Sequence, residues 1–66
     1  MSLGLRGGVM MARSWVVYFG DEYYRTWVLH VDASDRWEAE MLARNSPLGI
    51  SLKHDYGAWI ASVNED

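Results

Sequence analysis

The stretch RSWVVYFGDEYYRTWVLHV, residues 13–31, decides the fold, because it has the pattern of two β-strands joined by a turn. It holds six of the nine aromatic residues of the chain, together with several valines, and both kinds of residue favour strands. Gly20-Asp21-Glu22 is a turn signal of the length that joins a hairpin. We therefore predict strands at Arg13–Phe19 and Tyr23–Val31 with a three-residue loop between them.

The alternation of side chains assigns one face of this hairpin to the core. A three-residue loop would pair Phe19 with Tyr23 and Trp15 with Trp27, whereas a two-residue loop would pair Val16 with Trp27. In the three-residue register, six apolar side chains share the core face: Trp15, Val17, Phe19, Trp27, Leu29 and Val31.

A helix is predicted at Asp35–Arg44, with Ser34 or Asp32 as its N-cap. The run Asn45–Gly49 contains a proline and a glycine, which are predicted to end this helix. A short strand at Ile50–His54 would follow.

A last strand is predicted at Ala58–Val63, with Trp59, Ala61 and Val63 on one side. The element order is then β-β-α-β-β. We expect an α+β domain in which one helix packs on one face of a small antiparallel sheet.

The helix has two apolar sides. At 100° per residue, Ala39, Leu42 and Ala43 cluster on one side, and Trp37 and Met41 form a pair on nearly the opposite side. Only one set can face the sheet. Either the Trp37–Met41 pair is exposed, or the helix is rotated and the pair is core.

The segment VDASDRWEAEMLA, residues 31–43, resembles a pattern found in many small ββα domains. That pattern is a strand ending V-x-A, a Ser or Asp cap, and then E-A-x-x-L-A. The resemblance implies that Trp37 and Met41 stand where such domains usually carry Glu or Lys. It also implies a core made of five residues: Val31, Ala33, Ala39, Leu42 and Ala43.

In a short acidic chain, this pattern over residues 29–43 is similar to some small anti-CRISPR proteins of type I systems. HicB-family antitoxins and many phage proteins share it. The resemblance to the anti-CRISPR proteins implies a stoichiometric inhibitor that binds a CRISPR effector complex and has no catalytic activity.

Length and composition exclude several kinds of protein. The chain has 66 residues, which is the size of one domain. It has no cysteine, so disulfides, thiolate metal sites and cysteine nucleophiles are excluded. The net charge of −3 disfavours a general affinity for nucleic-acid backbones. No apolar run is long enough to span a bilayer and no signal peptide is evident, so we predict a cytoplasmic protein without a membrane partner.

Residues 1–10 are rich in glycine and show no periodicity, so we predict that they form a disordered leader. The single domain would then comprise residues 11–66. Natural translation would start at Met10 or Met11, because Gly7-Gly8 can be encoded by a purine-rich ribosome-binding sequence.

The sequence does not predict an enzyme, a cofactor or a metal site. His30 and His54 are the only histidines, and adding Asp32 or Asp55 gives no short ligand spacing. No serine stands in the strand–turn–helix context of a nucleophile.

The leading functional hypothesis is therefore a small, acidic, non-catalytic protein-binding module. Trp37 and Met41 would be its apolar anchors, and Asp35, Glu38 and Glu40 its charged rim.

Two alternatives stay open. The first is a nucleic-acid-binding sheet face that uses Tyr18, Tyr24, Arg13 and Arg25. The second is a homodimer in which Trp37 and Met41 bury against a second copy.

Overall fold

The computed structural model describes residues 12–66, and the predicted leader, residues 1–10, lies outside them. Three strands and two helices follow one another in the order β1-β2-α1-α2-β3. Their bounds are Arg13–Gly20 for β1, Thr26–Ala33 for β2, Arg36–Arg44 for α1, Pro47–Tyr56 for α2 and Trp59–Glu65 for β3.

The strands form one antiparallel sheet in the order β2-β1-β3, so β1 lies in the centre. Both helices contribute to a core on one face of this sheet, because Ala39 and Ala43 of α1 and Leu52 of α2 are buried with the inward residues of the strands. The expected α+β class is confirmed. Within residues 12–66, neither helix is long and apolar enough to cross a membrane.

The β1–β2 hairpin has a longer loop than expected. Phe19 pairs with Trp27 and Trp15 pairs with Val31, which leaves the five residues Asp21–Arg25 in the loop. The three-residue prediction is therefore wrong. The expected core face survives because the register moves by an even number of residues, and side chains alternate with a period of two.

The side chain of Asp21 is the reason for the longer loop. Its Oδ1 accepts hydrogen bonds from the backbone amides of Tyr23 and Arg25, at 3.1 and 2.9 Å. Tyr24 adopts a left-handed conformation, with φ of 66°. A tight turn at Gly20–Glu22 would leave these bonds unmade.

The predicted strand at Ile50–His54 is wrong, because these residues belong to α2. Ser46 is the N-cap of this helix, and its hydroxyl accepts the Gly49 amide at 3.0 Å. Pro47 is the first helical residue, where its fixed φ and missing N–H are tolerated. Gly57 ends the helix in the left-handed conformation, with φ of 65°. Residues predicted to end one helix therefore also begin the next.

Helix α1 begins one residue later than predicted, and its N-cap is Asp35 rather than Ser34 or Asp32. Ala39 and Ala43 are fully buried, as expected.

Leu42 is 45% exposed, so its predicted place in the core is wrong. Arg36 donates to the Val63 carbonyl at 2.9 Å, so the contact line of the helix runs through Arg36, Ala39 and Ala43. Leu42 lies about 90° away from that line at 3.6 residues per turn.

A β-bulge changes the face that β3 presents. Val17 pairs with Val63 but Phe19 pairs with Ile60, so one extra residue, Ala61, is inserted in β3. Ile60 and Val63 consequently pack on the core. The prediction that Trp59, Ala61 and Val63 share one side is wrong, because Trp59 and Ala61 are exposed.

Candidate functional site

The outward side of α1 carries the exposed aromatic residue that the sequence singled out. Trp37 is 70% exposed, and Met41, one turn further on, is half-buried. The alternative in which the helix is rotated is excluded, since the buried side is the one with Ala39 and Ala43. We call Trp37 and Met41 the α1 outer face.

The three acidic residues expected to rim this face are engaged within α1. Asp35 Oδ1 accepts the Glu38 amide at 2.8 Å, which is its bond as N-cap. Glu38 Oε1 accepts the amide and hydroxyl of Ser34 at 2.6 and 2.8 Å. Glu40 pairs with Arg44, four residues on, at 2.5 Å. These carboxylates therefore stabilise the helix itself, and those of Asp35 and Glu38 stabilise its N-terminus.

The hydrogen bonds from Ser34 have an electrostatic consequence. Its backbone amide and hydroxyl stabilise the carboxylate, and they lower the pKa of Glu38 against the smaller opposing effects of desolvation and the Asp35 charge.

The four residues of the nucleic-acid alternative are not brought together. Tyr18 lies on the open face of the sheet, and Tyr24 is 95% exposed at the tip of the hairpin loop. Arg13 lies at the opposite end of β1, where it pairs with Glu65 at 3.2 Å. Arg25 is paired with Asp21. No continuous basic and aromatic surface results from these positions.

Instead, Arg25 organises a cluster at the hairpin end that the sequence analysis did not foresee. Its guanidinium carbon lies 4.6 Å from the ring centre of Tyr56, 5.3 Å from that of Tyr23 and 5.8 Å from that of Trp27. Trp27 and Tyr56 also contact each other, with ring centres 5.0 Å apart. Together with Asp21, we call these residues the arginine cluster. It ties the end of α2 to the hairpin.

Asp21 is the anionic centre of this cluster, with only 3% of its surface exposed. Nε and Nη2 of Arg25 both reach its Oδ2, at 2.7 and 2.6 Å. Burial alone would raise the pKa of Asp21, but the hydrogen bonds from Arg25 and from the amides of Arg25 and Tyr23 outweigh it, so the pKa is lowered. Every polar atom of the carboxylate is thereby satisfied.

A pocket of about 170 Å³ opens between the two helices and β3. Its apolar lining comes from Phe19, Ala58 and Ile60, and Trp59, which is 53% exposed, also lines it. A wider groove lined by Ile50 and His54 adjoins it, and both concavities share Arg44 and Lys53. This site was not predicted from the sequence, because the pattern of residues Ile50–His54 was interpreted as a strand. The signal that could have revealed it was Ser46-Pro47, a helix start.

Lys53 differs from the other cations of the described part of the chain. Arg13, Arg25 and Arg44 each pair with a carboxylate, and Arg36 donates to the Val63 carbonyl. Lys53 is the one Lys or Arg within residues 12–66 that makes no such bond.

Neither histidine belongs to a metal-ligand cluster, because residues 12–66 contain no group of three or more His, Asp or Glu side chains that could hold a metal ion. His30 is exposed on β2. His54 Nδ1 lies 2.9 Å from Asp55 Oδ1, and this contact lowers the pKa of Asp55.

No protein-family model, no curated protein and no solved structure matches the chain.

Proposed function

We propose that this protein is a small, non-catalytic protein-binding module and that the α1 outer face is its contact surface. The observation that carries the proposal is the 70% exposure of Trp37 in the middle of a helix whose core contacts are made by alanines. Tryptophan is among the residues most enriched in binding hot spots.

The composition of the core supports a role of Trp37 outside it. The core already contains Trp15 and Phe19, with Trp27 packed against it. Trp37 is not among the residues that form this core or pack against it. A role in binding therefore explains the residue better than a role in packing does.

The acidic balance of the chain favours a partner with a basic surface around an apolar pocket. The chain carries nine carboxylates against six Lys and Arg residues. Electrostatic complementarity speeds association with a positively charged partner and selects against an acidic one.

The resemblance of residues 29–43 to small type I anti-CRISPR proteins supplies one partner class, a CRISPR effector complex. In this proposal the protein occupies a basic groove of the effector that otherwise holds nucleic acid. That assignment, like the cytoplasmic location, stays a prediction.

The experiment measures which host proteins are retained by the immobilised protein. Wild type is compared with Trp37→Ala and with Tyr24→Asn, which is the matched control. Tyr24 is an even more exposed aromatic residue outside the α1 outer face, and asparagine tolerates its left-handed backbone. We expect one host protein to be retained by wild type and by Tyr24→Asn and to be lost with Trp37→Ala. An added type I effector complex tests the narrower assignment in the same format.

Two outcomes would contradict the proposal. Equal retention by Trp37→Ala and wild type would remove Trp37 from the interface. Sedimentation that shows a tight wild-type dimer and a Trp37→Ala monomer would mean that a second copy covers this face.

A further inference from the structure

The pocket between α1, α2 and β3 combines two chemistries within one small volume. Its floor is apolar, from Phe19, Ala58 and Ile60, and its lining also contains Arg44 and Lys53. A cavity of about 150 Å³ is large enough for a benzene ring. The 170 Å³ of this pocket therefore has room for a single phenyl-sized group.

The two cations lie where the pocket meets the wider groove, because both concavities are lined by them. Arg44 already pairs with Glu40, which leaves the charge of Lys53 uncompensated among the described residues. Arginine has five N–H donors, so Arg44 keeps donors for a second acceptor. An anion at this junction would be held by Lys53 and contacted by Arg44.

A ligand that satisfies the site must carry an apolar group and an anion close together. The pocket has room for one ring and shares both cations with the groove, so the simplest ligand carries the ring and the anion on one residue. The C-terminal residue of a polypeptide has this arrangement, because its α-carboxylate is attached two bonds from the side-chain methylene. The open groove beside Ile50 and His54 leaves a route for the preceding residues.

We propose that this pocket binds the C-terminal residue of a partner protein, with an aromatic side chain inside the pocket and the terminal carboxylate on Lys53 and Arg44. The inference rests on the proposed function in one respect, namely that the partner is a protein. It concerns a different surface, since the α1 outer face contributes no residue to the pocket.

The test uses fluorescein-labelled pentapeptides and fluorescence anisotropy. The peptide GSGSF with a free carboxylate is compared with its C-terminal amide and with GSGSA as a free acid. Charge-assisted hydrogen bonds predict that the GSGSF acid binds about tenfold or more tightly than the amide. The GSGSA acid should bind more weakly as well, because it leaves the apolar floor empty.

Lys53→Met removes the charge and keeps most of the side-chain length. Its matched control is Arg13→Gln, which removes one positive charge at the far end of β1. Eight strand residues separate the two ends by roughly 20 Å, which is beyond the screening length in physiological salt. We expect Lys53→Met to abolish the preference for the free acid and Arg13→Gln to keep it.

Three results would overturn the inference. Equal binding of the GSGSF acid and amide would remove the carboxylate site, and equal binding of the GSGSF and GSGSA acids would remove the aromatic pocket. Binding of hydrocinnamate without binding of any peptide would make this a small-molecule site. Trp37→Ala should bind the GSGSF acid like wild type, so the pocket and the α1 outer face can fail separately.

Discussion

Two neighbouring regions of α2 contact very different surroundings. At its C-terminal end, the arginine cluster pairs a buried carboxylate with a guanidinium that three aromatic rings contact. About one turn earlier, Lys53 and the exposed Trp59 line the pocket, and the exposed Ile50 lines the groove beside it. Aromatic and cationic residues are present in both regions, but only in the first do they satisfy one another.

This difference separates residues that hold the fold from residues that are available for binding. Groups whose contacts are complete within the chain contribute to stability, and changing them leaves partners unpaired. Groups whose contacts are incomplete contribute little to stability, so their chemistry is free for a ligand. The same contrast applies to Trp27 and Trp59, which differ in burial rather than in residue type.

The largest expected effect comes from Trp27→Ala compared with Trp59→Ala. Trp27 packs on the core, Tyr56 and Arg25, so truncation should cost about 3 kcal/mol. Trp59→Ala should cost about 1 kcal/mol or less, since the residue is 53% exposed. Thermal unfolding followed by circular dichroism measures the stability of both variants. Equal losses of stability would contradict the proposed difference between the two regions.

The next effect concerns Gly49, the position where α2 approaches α1. A Cβ at Gly49 would overlap the Ala43 carbonyl oxygen, which is backbone and cannot rotate away. Gly49→Ala should therefore cost about 1–3 kcal/mol through displacement of α2. Gly20→Ala is the control, because a Cβ there meets only ordinary contacts, the nearest at 3.7 Å. A Gly49→Ala protein as stable as wild type would mean that the helices separate without cost.

Because of the arginine cluster, the folded protein should become less stable as the pH falls. The pKa of Asp21 is lowered in the folded state, so its contribution is present above the unfolded pKa of about 3.9 and is lost as the pH falls through the folded value. Melting temperatures from pH 6 to pH 2 should fall in wild type and in Lys53→Met. Asp21→Asn should melt lower at pH 6 and show a shallower fall.

Part of that acid dependence should persist in Asp21→Asn. The pKa values of Glu38 and Asp55 are lowered too, so both add stability that acid removes. An Asp21→Asn profile parallel to that of wild type would show that the cluster does not couple to pH.

A small effect is expected for Trp37→Ala. The side chain is 70% exposed, and surface substitutions usually change stability by less than about 0.5 kcal/mol. For a domain of this size 1 kcal/mol corresponds to roughly 4–8 °C, so the melting temperature should move by a few degrees at most. Unfolding of most of the protein would instead place Trp37 in the core.

No effect at all is expected with oligonucleotides. The net charge is −3, and Arg13 and Arg25 are both engaged in ion pairs. Binding to single- or double-stranded oligonucleotides at physiological salt should be no tighter than roughly micromolar. Tight binding in a gel shift would revive the sheet-face alternative.

Local sequence patterns predicted the hairpin, the first helix and the two apolar sides of that helix. Alternation in β1 and β2 assigned the core face correctly even though the loop length was wrong, because an even shift in register preserves the face. Helical periodicity separated Ala39 and Ala43 from Trp37 and Met41, and the resemblance to small ββα domains implied that the alanines are core. The structure buries both alanines and exposes Trp37. Alternation and helical periodicity depend on neighbouring residues alone.

Long-range contacts decided the rest. Arg25 contacts Tyr56, 31 positions further along the chain, and Arg36 reaches Val63, 27 positions away, and no local pattern encodes either contact. The second helix had a local signal in Ser46-Pro47, but the same residues also suit a helix end. The pocket exists only because α1, α2 and β3 meet around it. Side-chain alternation therefore determined the buried face of the hairpin, whereas tertiary packing decided the face of β3, the orientation of α1 and which exposed residues lie together.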